Sequence, residues 1–86
     1  MAVIHGAVQG VGFRYYARST AQRLGVRGYV QNLADGNVKI VCEGSEKAVG
    51  AMEHWLRSGP PSARVTRVDL QPYEPTGGYP TFTVEF

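Results

Sequence analysis

Cysteine, histidine and long hydrophobic runs are scarce in this sequence. Cys42 is its one cysteine, which excludes an internal disulfide and agrees with a reducing compartment. One cysteine and two histidines form no cluster of metal ligands, so we expect no metal site. No apolar run approaches the roughly 20 residues of a membrane span, and the N-terminus lacks the pattern of a signal peptide. These features predict a cytoplasmic protein without a membrane partner.

Charge is also sparse. The chain has nine Lys and Arg against seven Asp and Glu, and this net charge of +2 is too small to indicate nucleic acid as a partner. Several basic residues precede the first acidic one; they are Arg14, Arg18, Arg23 and Arg27. This distribution favours a small anion as the ligand of the first third of the chain, although scattered arginines more often form a solvated face without a ligand.

Length and composition favour one folded unit. Residues 1–86 are enough for a single domain, and the sequence contains neither a repeat nor a segment typical of a linker. Hydrophobic residues make up 43% of the chain, which suffices for a core. We expect a single domain that is a monomer.

The spacing of apolar residues predicts an alternation of strands and helices. Strands are expected at residues 2–8, 26–33, 37–44 and 64–73, with a short strand in "TFTVEF" at 81–86; helices are expected from Phe13 to Leu24 and from Ser45 as far as Gly59. Asp35-Gly36 predicts the hairpin turn between the second and third strands. Val65 and Val68 lie on opposite faces of an ideal strand, which indicates either a bulge or a frayed beginning of the strand. This order predicts an α+β fold, a split βαβ sandwich whose antiparallel sheet is covered on one face by two helices.

The segment "VQGVGFR" at residues 8–14 lies between the first strand and the first helix. Backbone N–H groups in such a turn can form a concave nest, and the first N–H groups of a helix have no acceptor within it, so both attract anions. Gly10 and Gly12 let the backbone curl without a Cβ in the way. Arg14 adds a planar fork of donors suited to phosphate oxygens. Taken alone, two glycines at such a junction serve a tight turn about as often as a ligand site.

Asn32 ends the second strand on the same face as the apolar Val30. A buried carboxamide needs hydrogen-bond partners, so this position is a candidate for a functional side chain. The alternative is an asparagine that supports the Asp35-Gly36 turn, which is the more usual role near a turn. Whether Asn32 reaches Arg14 depends on the register of the sheet, which periodicity does not determine.

Five short motifs together resemble the acylphosphatase family. They are "GAVQGVGFR" at 6–14, "LGVRGYVQN" at 24–32, "DG" at 35–36, "EG" at 43–44 and "GPPSARV" at 59–65. The resemblance extends from the first strand to the last. It implies a ferredoxin-like fold, hydrolysis of the carboxyl-phosphate bond of acyl phosphates, and catalysis without a metal or other cofactor. Ala7 departs from the polar or basic residue of many members, at a position where the motif is variable.

The same resemblance implies roles for particular residues. The phosphate-binding arginine of the family corresponds to Arg14, and the asparagine that positions the attacking water corresponds to Asn32. The backbone cradle around the phosphate oxygens corresponds to Gln9, Gly10, Val11, Gly12 and Phe13. Neither motif contains a suitable base, so we expect a phosphoryl oxygen to accept the proton of the water. His5, as a strand residue, is more typical of packing than of catalysis.

Two other functions fit a domain of this architecture. RNA-recognition domains share the fold, and "GVGFRYY" faintly resembles their aromatic motif, but that motif belongs on a central strand, whereas this segment opens a helix. The other is a binding or regulatory module with the same fold and no catalysis. We predict the enzyme, which takes an acyl phosphate as substrate, binds inorganic phosphate or a similar anion, and has no nucleic acid partner.

Overall fold

Five strands and two helices follow one another in a computed structural model that describes residues 1–86. The strands are β1 (Ala2–Ala7), β2 (Arg27–Asn32), β3 (Val38–Glu43), β4 (Arg64–Leu70) and β5 (Phe82–Glu85), and the helices are α1 (Phe13–Leu24) and α2 (Glu46–Ser58). The predicted order of elements is confirmed. The fourth strand ends at Leu70 rather than at residue 73, because Pro72 has no N–H group with which to extend the ladder. Neither helix is long and apolar enough to cross a membrane.

The strands form one sheet in the order β4-β1-β3-β2-β5. The first four pair with antiparallel neighbours, as predicted. β5 instead runs parallel to β2, with Gly28 beside Phe82 and Gln31 beside Glu85. The sheet is therefore mixed: its four antiparallel strands are as predicted, and β5 adds a parallel strand at one edge. The reason is the long segment 71–81, which carries the chain from one edge of the sheet to the other, so that β5 need not form a tight hairpin with a neighbour.

Both helices pack against one face of this sheet and share its core. The enclosed side chains include Ile4, Val30, Val38 and Ile40 of the sheet, Phe13, Ala17 and Ala21 of α1, and Met52 and Leu56 of α2. The rings of Phe13 and Trp55 join the two helices, with their centroids 5.8 Å apart. Burial of a side chain as large as Phe13 contributes about 1.5–3 kcal/mol. Because Phe13 is the first residue of α1, the core fixes the beginning of this helix and the loop before it.

The hairpin between β2 and β3 turns where the sequence predicts. Leu33 N–H donates to the Asn37 carbonyl oxygen at 2.8 Å, and Gly36 N–H donates to the Leu33 carbonyl oxygen at 3.2 Å. Gly36 has a φ of 91°, which a residue with a Cβ rarely adopts. Asp35 Oδ1 accepts from the Asn37 N–H at 3.0 Å and closes the turn. The end of β2 is thus held by local contacts.

The pairing of β1 with β4 contains the predicted bulge. His5 pairs with Arg67 and Gly6 pairs with Val65, so Thr66 has no partner on β1. A Cβ at Gly6 would collide with the carbonyl oxygen of Arg64, which shows how closely the two backbones approach there. The extra residue reverses which face of the sheet the following side chains of β4 point to, so Val65 and Val68 can lie on the same face.

Glu43, at the end of β3, anchors the segment 71–81. The residue is 3% exposed, and its carboxylate accepts hydrogen bonds from the Tyr73 hydroxyl (2.9 Å), the Thr76 N–H (3.0 Å) and hydroxyl (3.2 Å), and the Gly77 N–H (2.9 Å). The Thr76 N–H contributes most to lowering the pKa of Glu43 below its usual value, against the opposing effect of burial. The carboxylate therefore holds the segment that leads β5 to its place beside β2.

Replacing Glu43 by glutamine is expected to destabilise the fold most strongly at neutral pH. The folded-state pKa lies below that of the unfolded chain, so the carboxylate stabilises the fold above an unfolded pKa of about 4.3, and this stabilisation is lost as the pH falls through the folded-state value. Thermal melts should show a Tm several degrees lower for the variant at pH 7 and a smaller difference at pH 3. Glu74→Gln, an exposed change in the same segment, is the control. A difference in Tm that does not vary with pH would contradict this assignment.

Candidate functional site

The loop between β1 and α1 presents a run of backbone donors. Gly10 and Gly12 have φ angles of 73° and 75°, in the left-handed region that glycine adopts without strain. The N–H groups of Gly10, Val11 and Gly12 donate no hydrogen bond within the chain. Phe13 and Arg14 begin α1, where N–H groups have no helical acceptor, and the first turn contains no acidic residue. The positive end of the helix dipole is therefore unopposed, and the loop can bind an anion.

A cavity of about 180 Å³ opens at this loop and brings the two predicted side chains together. It is lined by Val8, Gly10, Gly12, Phe13, Arg14, Tyr15 and Asn32. Arg14 and Asn32 thus face one space, because the sheet order sets the end of β2 near the loop that follows β1. Val8 and Tyr15 are not among the residues predicted for the site, since nothing in their pattern distinguishes them from core and surface residues.

The Asn32 side chain has no partner within the protein. The residue is half-buried, and its Oδ1 atom is fully buried without a hydrogen bond. An unpaired buried acceptor costs about 1–3 kcal/mol. The hairpin turn is closed by Asp35 and not by Asn32, so the interpretation of Asn32 as a support for the turn is wrong. A carboxamide kept unpaired beside a cavity is available to a ligand.

Arg14 is held by the end of β5. Its Nη1 donates to the carbonyl oxygen of Glu85 at 3.1 Å, and its guanidinium carbon lies 4.7 Å from the centroid of the Phe86 ring. A cation–π contact at an exposed site contributes about 0.5–1 kcal/mol. Because β5 runs parallel to β2, the C-terminal ends of both strands lie at the same end of the sheet, and Glu85 is therefore near Asn32. None of the five motifs shared with the family contains Glu85 or Phe86, so only the pairing of β5 reveals this support.

Gln9 and Val11, the other predicted members of the cradle, do not line the cavity. Gln9 Nε2 donates to two carbonyl oxygens of the β2–β3 hairpin, at 2.7 and 2.8 Å. The side chain of Val11 packs against the core, and its carbonyl oxygen accepts a hydrogen bond from Ser62 Oγ at 2.8 Å. The carbonyl and the following N–H of a trans peptide point in opposite directions. The Ser62 contact therefore fixes the direction of the Gly12 N–H.

His5 lies outside this cavity, in a separate polar cluster on β1 and β4. Its Nε2 is 2.8 Å from Asp69 Oδ2, and Arg67 Nη2 donates to the same carboxylate oxygen at 3.1 Å. The hydrogen bond with His5 is the main cause that lowers the pKa of Asp69 below its usual value. The contacts of His5 are thus with β4 and not with the glycine loop.

A larger and more open depression, of about 450 Å³, lies at the opposite end of the sheet. It contains Cys42, and burial raises the pKa of this thiol to about 12. The thiol is therefore protonated at neutral pH and is a poor nucleophile. Volume alone would locate the site here, but unpaired donors, an arginine and an unpaired carboxamide converge only at the smaller cavity.

These features define an α+β protein with a candidate small-anion site built from a loop, a helix N-terminus and an arginine. The family model for acylphosphatase matches residues 1–84 of the chain. An acylphosphatase from Deinococcus radiodurans is 50% identical over 76 residues, which cover 88% of this chain and 87% of that protein. The chain belongs to the acylphosphatase family, and the prediction that it is an acylphosphatase is confirmed.

Solved structures agree with this assignment. The acylphosphatase from Bacillus subtilis superposes with a TM-score of 0.92 at 32% identity, over 99% of this chain and 94% of that one. The HypF protein of T. kodakarensis gives a TM-score of 0.85 at 35% identity, over 99% of this chain but only 11% of that one. The predicted ferredoxin-like fold class is confirmed, and the same fold also occurs as a small part of a longer protein.

Proposed function

We propose that the chain hydrolyses acyl phosphates with the phosphate group held by the backbone of residues 9–13 and by Arg14, while Asn32 positions the attacking water. The substrate class follows from membership of the family. One observation carries the assignment of residues: Arg14 and Asn32 line the same cavity as Gly10 and Gly12. Inorganic phosphate, a product of the reaction, is expected to bind to the same donors.

Stabilisation of charge is the role of the loop and Arg14. The transferred phosphoryl group carries negative charge on three oxygens in the transition state. The donors present before the substrate arrives are the guanidinium group of Arg14 and the N–H groups of Gly10 and Gly12, which line the cavity, together with the unpaired N–H of Val11 between them. Fixed donors need little reorganisation during the reaction. Electrostatic stabilisation by such preorganised donors is the largest contribution to catalysis in many enzymes.

Orientation of water is the role of Asn32. The Asn32 carboxamide binds the water through a hydrogen bond and directs an oxygen lone pair at phosphorus. As the bond from this oxygen to phosphorus forms, the bond from phosphorus to the carboxyl oxygen breaks, and the carboxylate leaves with the electron pair. A carboxylate is a good leaving group and needs no general acid. No His, Asp or Glu lines the cavity, so a phosphoryl oxygen accepts the proton of the water.

An assay of the purified chain with a generic acyl phosphate, a phosphate monoester and single-stranded RNA tests this function. We expect turnover of the acyl phosphate alone, no binding of the RNA, and activity that a chelator leaves unchanged. Turnover of the monoester at a similar rate would contradict the substrate class. Inhibition by the chelator that a divalent metal reverses would contradict the metal-free mechanism.

Replacing Ser62 by alanine is expected to weaken phosphate binding without abolishing hydrolysis. The lost hydrogen bond to the Val11 carbonyl is worth about 0.5–1.5 kcal/mol, which corresponds to a rise of about 2- to 10-fold in the inhibition constant of inorganic phosphate. Ser58→Ala is the matched control, because the Ser58 hydroxyl also donates to a carbonyl oxygen, that of Trp55 at 3.3 Å, but lies outside the cavity. Equal phosphate inhibition of Ser62→Ala and the unaltered protein would show that this bond does not orient a donor.

A further inference from the structure

The side chain of Gln9 leaves the glycine loop and ends on the β2–β3 hairpin. Its Nε2 donates to the carbonyl oxygen of Leu33 at 2.7 Å and to that of Asn37 at 2.8 Å. Two carbonyl oxygens need two donors, and the NH₂ end of the Gln9 carboxamide supplies both. The chemistry of this contact is therefore specific to glutamine, and a carboxylate of the same shape would face two acceptors without a proton to donate.

Both acceptors belong to the segment that follows Asn32. Leu33 is the next residue in the chain, and the Asn37 carbonyl oxygen also accepts from the Leu33 N–H at 2.8 Å. Gln9 thus binds to the pair of residues that closes the hairpin beside Asn32. These are the only hydrogen bonds between the glycine loop and this hairpin.

No hydrogen bonds of the sheet join the glycine loop directly to the end of β2. β1 and β2 are not neighbours, because β3 lies between them. The ladder between β1 and β3 has its last pair at Ile4 and Val38, well before the chain reaches Gln9. Beyond Ile4, the distance between the loop and the end of β2 depends on core packing and on the contacts of Gln9.

We propose that Gln9 is a positioning residue that fixes the spacing between the phosphate cradle and Asn32. This inference rests on the proposed roles of the cradle and of Asn32. A water molecule must lie close to phosphorus and in line with the leaving group, and a displacement of 1 Å can lower the rate about 100-fold. The Gln9 side chain touches neither the substrate nor the water in this scheme; it fixes the position of the phosphate cradle relative to Asn32.

The test begins with the variants Gln9→Met and Gln9→Glu, which keep the length of the side chain but remove both donors. We expect kcat to fall about 10- to 100-fold in both variants, while the inhibition constant of inorganic phosphate changes less than about threefold. Gln31→Met is the matched control: Gln31 is half-buried on β2, points away from Asn32, and has no side-chain hydrogen bond. A value of kcat equal to that of the unaltered protein in Gln9→Met would overturn the inference.

A double-mutant cycle separates positioning from a general loss of structure. If Gln9 acts through the place of Asn32, Gln9→Met should lower kcat less than about threefold in a protein that already carries Asn32→Ala. Independent effects that multiply would contradict the proposal. The proposed function fails separately, if the unaltered protein does not hydrolyse acyl phosphates or if Asn32→Ala retains full activity.

Gln9→Glu supplies a second measurement that does not depend on the folding of Gln9→Met. Below the pKa of the new carboxyl group, its proton allows one hydrogen bond to a hairpin carbonyl. The activity of Gln9→Glu relative to the unaltered protein should therefore rise as the pH is lowered. A ratio that stays constant between pH 8 and about 4.5 would contradict a role for the donated hydrogen bonds.

Discussion

Arg14→Ala is expected to abolish the hydrolysis of acyl phosphates and to weaken the binding of inorganic phosphate. Loss of a single oxyanion-hole donor lowers kcat about 10²- to 10³-fold, and Arg14 supplies a full positive charge as well. Initial rates over a range of acyl phosphate concentrations, with phosphate as a competing ligand, measure both effects. Arg14→Lys should recover only a small part of the activity, since an ammonium group lacks the planar fork that fits two phosphate oxygens.

The control for this change lies on the same helix. Arg23 is exposed in the last turn of α1, so Arg23→Ala removes one positive charge at the end far from the cavity. Its kcat and phosphate inhibition should stay close to those of the unaltered protein. An Arg14→Ala variant that keeps its phosphate affinity would show that the guanidinium group does not bind phosphate.

Asn32→Ala is expected to lower kcat about 100-fold or more and to leave phosphate binding largely intact. The carboxamide acts on the water and not on the phosphate group, so its loss is felt mostly in the transition state. KM and the inhibition constant of phosphate are therefore expected to change less than about threefold. A variant that loses phosphate affinity while kcat is retained would contradict this role.

The stability of the same variant gives an independent check. Asn32 Oδ1 is buried without a partner, so its removal relieves an unfavourable group instead of breaking a contact. The Tm of Asn32→Ala should equal or slightly exceed that of the unaltered protein, as expected where function is maintained at the expense of stability. A clear fall in Tm would show that the carboxamide supports the fold.

Much of the fold can be predicted from local pattern. Gly25 ends α1 with a φ of 79°, and Ser45 Oγ caps α2 by accepting from the Ala48 N–H at 3.1 Å. The turn at Asp35-Gly36 and the bulge near Val65 also lie where the sequence predicts. These features depend on the φ preferences and side-chain donors of neighbouring residues, so a short window of sequence is sufficient.

Part of the candidate site can be predicted from local sequence in the same way. The glycines of "VQGVGFR" predict a strand-to-helix turn, and Arg14 is the charged residue that follows them. The supports of the site are different, because they come from distant parts of the chain. Ser62 reaches Val11 from the loop before β4, and Phe86 reaches Arg14 from the end of β5. Neither contact has a periodic or compositional signal.

Local sequence preferences are sufficient to predict the order of elements, the turn at Asp35-Gly36 and the glycine loop that ends in Arg14, because each depends on only a few neighbouring residues. Three features required the folded chain: Asn32 shares a cavity with Arg14, its Oδ1 is buried without a partner, and β5 pairs in parallel with β2. Those outcomes depend on strand order and register, which follow from the packing of the whole core and not from any one segment.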